Sequence, residues 1–158
     1  MNGFILVNKE SGVSSNFVVQ KIKKKIKAQK IGHLGTLDPL ASGLLILAVN
    51  RATKFSSYFL ESDKSYDVEV EFGTFTDTDD STGKIIYKSN DYPNKTSVKN
   101  HLESFIGESM QIPPFFSALK HKGKPLYKYA RRGEFISKPP RKISVNCIET
   151  VSYTHLTL

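Results

Sequence analysis

The sequence predicts an α+β domain in which a mixed, largely antiparallel sheet is covered by helices. Three observations carry this expectation. Apolar side chains recur at three- and four-residue spacing in Val18, Val19, Ile22 and Ile26, and again in Val98, Leu102, Phe105 and Ile106. That is the period of a helix with one buried face. From Gly43 to Val49 the apolar run is unbroken by any polar side chain, as in a buried strand. In "SYDVEVEFG" the pattern alternates strictly, with Tyr66, Val68, Val70 and Phe72 on one side and Asp67, Glu69 and Glu71 on the other, the period of a half-buried strand. With 158 residues the chain is the size of one domain.

In chain order, Phe4–Val7 is a short apolar strand that closes at the polar turn "NKESGVSS". Ser14 or Ser15 is placed to cap the helix that follows, whose lysines occupy the solvated face. A turn around Gly32–Gly35 leads to Asp38 and then to the strand over 43–49. The strand over 66–72 connects through "TFTDTDDSTGK" to a second strand, "KIIYKS", which predicts a hairpin with a long loop. The helix over 94–106 stops at Gly107. "QIPPFFSALKHKGKPLYKYARRGE" is dense in basic and aromatic residues, and Pro125 is suited to open a short helix through Arg132, ended by Gly133. "RKISVNCIETV" alternates again and should be a strand. No internal repeat or low-complexity linker interrupts the chain.

Composition narrows the class. The longest apolar run falls far short of the ~20 residues that cross a membrane. The N-terminus has no basic stretch before its first apolar residues, so a buried strand is expected there and not a signal peptide. A single cysteine, Cys147, excludes an internal disulfide and fits a reducing cytoplasm. The histidines at 33, 101, 121 and 155 have no metal-ligand spacing, so no metal is expected. The net charge is +8 and the pI about 9.5. Six lysines fall within 21–30, nine Lys or Arg residues lie within 120–142 against the single acid Glu134, and eight of the fifteen acids lie within 61–80. Polarisation of this kind points to a polyanionic partner, most simply a nucleic acid, with a generally lysine-rich proteome as the plainer explanation.

Several stretches invite chemistry. A calcium loop starting at Asp77 would need Gly and Glu where Thr82 and Lys88 stand, so "DTDDSTG" is better taken as an acidic hairpin turn. "GHLG" matches the G-x-x-G of an RNA-clamping loop, but T-L-D-P follows where that motif's helix should continue. No phosphate-cradling G-x-x-x-x-G-K-[ST] loop is present. Asp38, before Pro39, has three readings. It could cap a turn, act in acid–base chemistry with His33 as nearest partner, or serve as a nucleophile held ionised by a cation. The edge of a buried strand suits the last role, because the scaffold fixes the carboxylate while the adjacent loop leaves room for substrate.

The blocks "GHLGTLDPLASGLL", "RATKFSSYFL", "DKSYDVEVEFGTFTDTDDSTG", "QIPPFFSALKHKGKPLYKYARRG" and "RKI", in this order, resemble the bacterial TruB family of tRNA pseudouridine synthases. The likeness runs from "GFILVNKESGVSS" to about Ile148. It implies a pseudouridine-synthase fold and isomerisation of one uridine, at position 55 in the T-arm loop of tRNA, by a monomer without cofactor or metal. It implies Asp38, in G-T-L-D-P, as the nucleophile, and Tyr66 packing on the extruded uracil. His33 would fill space beside the flipped nucleotide, and Lys9 and Lys54 match basic positions near the active site. The stretch near 112–136 resembles a tRNA-gripping insertion. There Lys120, Lys122, Lys124, Arg131 and Arg132 would meet phosphates and Tyr127 would stack on bases. Glu10 stands where the family usually has proline.

The likeness fades at the end. The family continues with a C-S-x-G-T-Y-I-R-like block, whose arginine pairs with the catalytic aspartate, and often with a small RNA-binding domain. "VSYTHLTL" resembles neither, and no arginine follows Arg141. The expectation is therefore the N-terminal part of the catalytic domain over 1–148, a non-matching tail over 149–158, and a fold incomplete at the C-terminus. A polypeptide of this kind should be inactive or nearly so by itself. The alternative is a tRNA-binding or tRNA-folding module without chemistry. An unrelated hydrolase with an aspartate nucleophile would need a metal or base cluster that the sequence lacks.

Overall fold

The computed structural model describes residues 1–153; the end of the "VSYTHLTL" tail, with His155, lies outside the described residues. The chain forms two compact units that meet in sequence at Asp67 and Val68. The first contains β1 (Gly3–Lys9), α1 (Ser15–Ile26), β2 (Ile31–His33), β3 (Gly43–Val49), a 3-10 turn over Asn50–Phe55, and α2 (Ser56–Leu60). Its sheet has the order β1-β3-β2 with both pairings antiparallel, from Gly3↔Val49 to Lys9↔Gly43 on one side and from Ile31↔Val49 to His33↔Leu47 on the other.

The unbroken apolar run of β3 follows from this central position, because both faces and both edges are occupied. On one face Leu45 and Leu47 are buried with Val19 of α1, flanked by Val18, Ile22, Ile5 and Val7. On the other, Ala48 packs with Leu34 and Ala52, beside Ile46 and Phe59. Each fully buried leucine contributes about 1.5–3 kcal/mol, so this strand anchors the unit. Of the two candidate serines, Ser14 is the cap, accepting the Phe17 N–H at 3.1 Å, while Ser15 is the first helical residue and is buried. Lys23, Lys24 and Lys25 fill the last turn of α1, where the negative end of the helix favours cations.

The segment over 66–72 differs from expectation. It forms no strand, and Tyr66, Val68 and Val70 are 67%, 75% and 64% exposed. Alternation decides which side chains share a face, but a strand exists only where its N–H and C=O groups meet a neighbouring chain. Among the described residues no strand pairs with this segment. The hairpin is built one step later, by β4 (Thr74–Thr76) and β5 (Ile85–Lys88), with a register shift at Phe75 and Thr76. Its acidic loop closes on itself. Asp80 accepts from the Thr78 and Thr82 hydroxyls and the Thr82 N–H, and Asp77 accepts the Lys84 N–H. Burial pushes the Asp80 carboxyl up, yet hydrogen bonds from Thr82, Thr78 and Gly83 outweigh it and leave the group below the usual carboxylate value.

Further along, α3 (Lys95–Glu103) is capped by Asn94, which accepts the Ser97 N–H at 2.8 Å. It ends before Phe105 and Ile106, which are about half exposed, so the expected helix through 106 is too long. Gly107 opens β6 (Gly107–Gln111), which pairs with β9 (Arg141–Val145), the first half of the alternating segment near the end. β7 (Lys120–His121) and β8 (Lys124–Pro125) form a tight hairpin in which Lys122 and Gly123 both have positive φ, the conformation of a two-residue hairpin turn. α4 (Leu126–Ala130) follows Pro125, and Gly133 at φ 78° lies just beyond it. The class is α+β, with every described pairing antiparallel and the strands distributed over four separate sheets in place of one.

Candidate active-site loop and basic surface

Asp38 lies in the loop between β2 and β3 and is exposed. Its carboxylate makes no hydrogen bond or ion pair among the described residues, and it caps nothing, since its carbonyl and not its side chain accepts the Ala41 N–H at 3.1 Å. The loop that carries it, by contrast, is tied at each peptide from residue 36 to residue 41. The Ser15 hydroxyl accepts the Leu37 N–H at 2.9 Å and donates to the Leu37 carbonyl at 2.7 Å. The Pro39 carbonyl receives the Gly12 N–H at 2.8 Å and the Lys9 ammonium at 3.3 Å. The Ser11 hydroxyl donates to the Leu40 carbonyl at 2.7 Å. Pro39 itself fixes φ at the residue after Asp38. Residues 9–15 thus form a frame around 37–40, and the arrangement holds an acceptor-only carboxylate outward from a rigid backbone.

Lys9 belongs to that frame. It is 1% exposed, and its ammonium donates to the carbonyls of Glu10 at 2.9 Å, Val13 at 2.8 Å and Pro39 at 3.3 Å. Three donors and three acceptors leave none for a ligand. The resemblance placed Lys9 near substrate; in the structure it holds the loop. Ser11, Gly12 and Ser15 were not singled out from the sequence beyond helix capping. The one available signal was a run of small polar residues directly after a strand.

His33 ends β2 opposite Leu47 and is half-buried, with its Nδ1 buried and without a hydrogen-bond partner. Burial holds the imidazole below its ordinary 6.5, partly offset by the nearby main chain of Gly35. Lys30, His33, Thr53 and Ser56 line one concavity of this unit. Lys54 is exposed at the end of the 3-10 turn that continues from β3. Tyr66 is exposed and makes no hydrogen bond or ring contact among the described residues. No hydrogen bond joins Asp38 to His33, Lys54 or Tyr66.

The basic surface lies in the second unit. Leu126 and Ala130, 1% and 5% exposed, anchor α4, and the Leu126 N–H reaches the Leu119 carbonyl at 2.7 Å. The Tyr129 hydroxyl donates to the His121 carbonyl at 3.1 Å, with the two rings edge to face. These contacts orient Lys124, Lys128, Tyr129 and Arg132 around one pocket. Lys124 and Arg132 were expected to contact RNA; Lys128, on α4 between them in sequence, joins them only in the fold. Lys120 and Lys122 are exposed on the hairpin. The Arg131 guanidinium sits 5.4 Å from the centre of the Tyr127 ring, so these two expected contacts are paired with each other. Among the described residues no group of three His, Cys, Asp or Glu is arranged to hold a metal ion, and no helix is long and apolar enough to cross a membrane.

Comparison with known proteins places these features in a family. The model of the TruB family pseudouridylate synthase (N terminal domain) matches residues 23–158. The tRNA pseudouridine synthase B of Blochmanniella floridana is 50% identical over 145 residues, covering 92% of this chain and 57% of that protein. The protein of the same name from Bordetella pertussis is 43% identical over 157 residues, covering 98% of this chain and 64% of that one. Among solved structures, a chain of a Cbf5-Nop10-Gar1 complex is 26% identical with a TM-score of 0.49, covering 76% of this chain and 31% of its own. The chain therefore spans between about half and two-thirds of the curated relatives it matches. The family model covers most of the sequence at a level that leaves one assignment: this chain belongs to the TruB family of pseudouridylate synthases and corresponds to its N-terminal domain.

Proposed function

We propose that the chain carries the catalytic aspartate of a tRNA uridine isomerase, converting uridine to pseudouridine at position 55 of the T-arm loop, with Asp38 as nucleophile. The observation that supports this best is the exposed carboxylate on a loop whose flanking peptides are all hydrogen-bonded. In this reading the target base leaves its stack, at a cost of a few kcal/mol. The N1–C1′ bond breaks, the ring turns, and a C5–C1′ bond forms. The C5 proton goes to water and N1 takes a proton from water, and the bond that Asp38 forms to the nucleoside is broken again before the product leaves, so atoms balance without an added reagent. Asp38 supplies the nucleophilic carboxylate, and the frame holds it in place without spending binding energy at the moment of reaction. Tyr66 packs on the flipped uracil and His33 fills the space beside it, its burial favouring the neutral ring. Lys54 and the set Lys120, Lys122, Lys124, Lys128 and Arg132 meet phosphates, and Tyr127 with Arg131 offers a stacking surface. The protein acts as a monomer in the cytoplasm, on tRNA.

Tritium release from tRNA carrying 5-tritiated uridine tests the assignment. Asp38→Asn should abolish release while tRNA affinity stays within about twofold of the parent, because the carboxylate and the phosphate contacts are separate. A second reading, a tRNA-binding module without chemistry, draws on the location of the basic pocket in a different unit from Asp38. Undiminished effects of Asp38→Asn on tRNA would favour that reading over the enzyme.

A further inference from the structure

We propose that Ser15 is the positioning residue for Asp38, an inference that rests on the nucleophile assignment above. The Leu37 N–H belongs to the peptide before Leu37, and the Leu37 carbonyl belongs to the peptide whose nitrogen is that of Asp38. One hydroxyl, accepting from the first at 2.9 Å and donating to the second at 2.7 Å, fixes the planes of both. The second plane fixes the Asp38 N and Cα, and with the Asp38 carbonyl held by the Ala41 N–H at 3.1 Å it sets the direction in which Asp38 projects its Cβ. No other member of the frame reaches this side of Asp38; Lys9, Ser11 and Gly12 hold the carbonyls of Pro39 and Leu40.

Ser15 also connects the loop to the core. It is 3% exposed and is the first residue of α1, and Val19 one turn later is buried against Leu45 and Leu47. On the Leu37 side the carboxylate is thereby referenced to the best-packed part of the unit through a single hydroxyl. The role is separable from helix formation, because Ser14 and not Ser15 caps α1. Removing the Ser15 hydroxyl leaves the cap, the apolar stripe and the sheet in place while freeing the two peptides that aim Asp38. Misplacement of a reacting group by about 1 Å costs on the order of 10²-fold in rate.

The experiment compares the unsubstituted chain, Ser15→Ala, Ser15→Thr and Asp38→Asn in tritium release under single-turnover conditions, with the chain in excess over tRNA, and measures tRNA affinity in parallel. Ser15→Ala should slow release by roughly 10–100-fold with affinity within about twofold, and Ser15→Thr, which restores a hydroxyl, should recover most of the rate. Should Ser15→Ala fail to fold, Ser15→Cys keeps the volume with a poor hydrogen-bonding group and should show the same slow release. A folded Ser15→Ala within about twofold of the parent rate overturns the proposal, as does a rate loss matched by weakened binding or a Ser15→Thr no faster than Ser15→Ala. Retained release in Asp38→Asn overturns the nucleophile assignment and the proposal with it. If the unsubstituted chain releases too little to compare, amide exchange at Leu37 and Asp38 decides, and exchange no faster in Ser15→Ala than in the parent overturns the positioning role. Lost release in Asp38→Asn with full release in Ser15→Ala overturns the positioning role alone.

Discussion

Lys9 places a formal charge where almost no solvent reaches, and its stability rests on main-chain oxygens instead of a carboxylate. Lys9→Met keeps the aliphatic stem but leaves three carbonyls short of a donor. A charged hydrogen bond contributes about 1.5–3 kcal/mol, so a loss of that order in urea unfolding is expected, together with faster amide exchange over 37–41. An unchanged midpoint would mean that water replaces the ammonium without cost. His33 gives a pH dependence whose sign follows from burial. Because the folded value lies below the ordinary 6.5, the unfolded chain binds the proton more readily. This contribution to stability is complete above the ordinary value and is lost as pH falls through the lowered folded value. Between about pH 7.5 and 5, His33→Gln should therefore lose less stability than the parent, and parallel losses would remove His33 as the cause.

At the scale of elements, Gly73 sets the entry to the β4–β5 hairpin. Its φ is +84°, and an added Cβ would come 2.6 Å from the Ser89 carbonyl oxygen, whose own N–H bonds back to Gly73 at 2.8 Å. Gly73→Ala meets both the backbone penalty and a main-chain clash. It should cost about 1–3 kcal/mol and speed amide exchange at Ser89, whereas Gly35→Ala, with open space at its Cβ, should leave the hairpin unchanged. The same contrast between local and partner-dependent structure explains what the sequence could disclose. α1 was legible because burial repeats with the period of its own backbone, and β3 because burial on both faces leaves its run without a polar side chain. β6, "GESMQ", carries no such period and exists because β9 pairs with it. The 66–72 segment carries the period but meets no partner. Of the candidate site, Asp38 was legible through G-T-L-D-P, but its frame was not. Ser15 and Leu37 are 22 residues apart and Lys9 and Pro39 are 30 apart, and hydrogen bonds between two turns leave no periodic trace. Lys128 escaped notice for a related reason, since only the turn of α4 brings it beside Lys124 and Arg132.

For the molecule as a whole, a charge of +8 provides attraction to any polyanion, so net charge alone does not distinguish a site from a background. Two basic groups are available for comparison, and they differ in form. The lysines within 21–30 stand along α1 and just past it, opposite the stripe that packs on β3, with three of them in the last turn of the helix. Those at 124 and 128, with Arg132, converge on one pocket held by Tyr129 and the buried Leu126. A cation that meets a phosphate in place releases a counterion, and each such contact adds about 0.7–0.9 to the slope of log affinity against log salt. A cation on an open helix face adds only to the general field, which salt screens. Replacing Lys124, Lys128 and Arg132 together with alanine should therefore flatten the salt dependence of tRNA binding by roughly 2–3, whereas replacing Lys21, Lys24 and Lys25 should change it by less than about 1. Filter binding of T-arm RNA across a salt series measures both slopes. Equal flattening by the two sets would show that binding follows total charge, and the pocket would then lose its standing as the RNA contact.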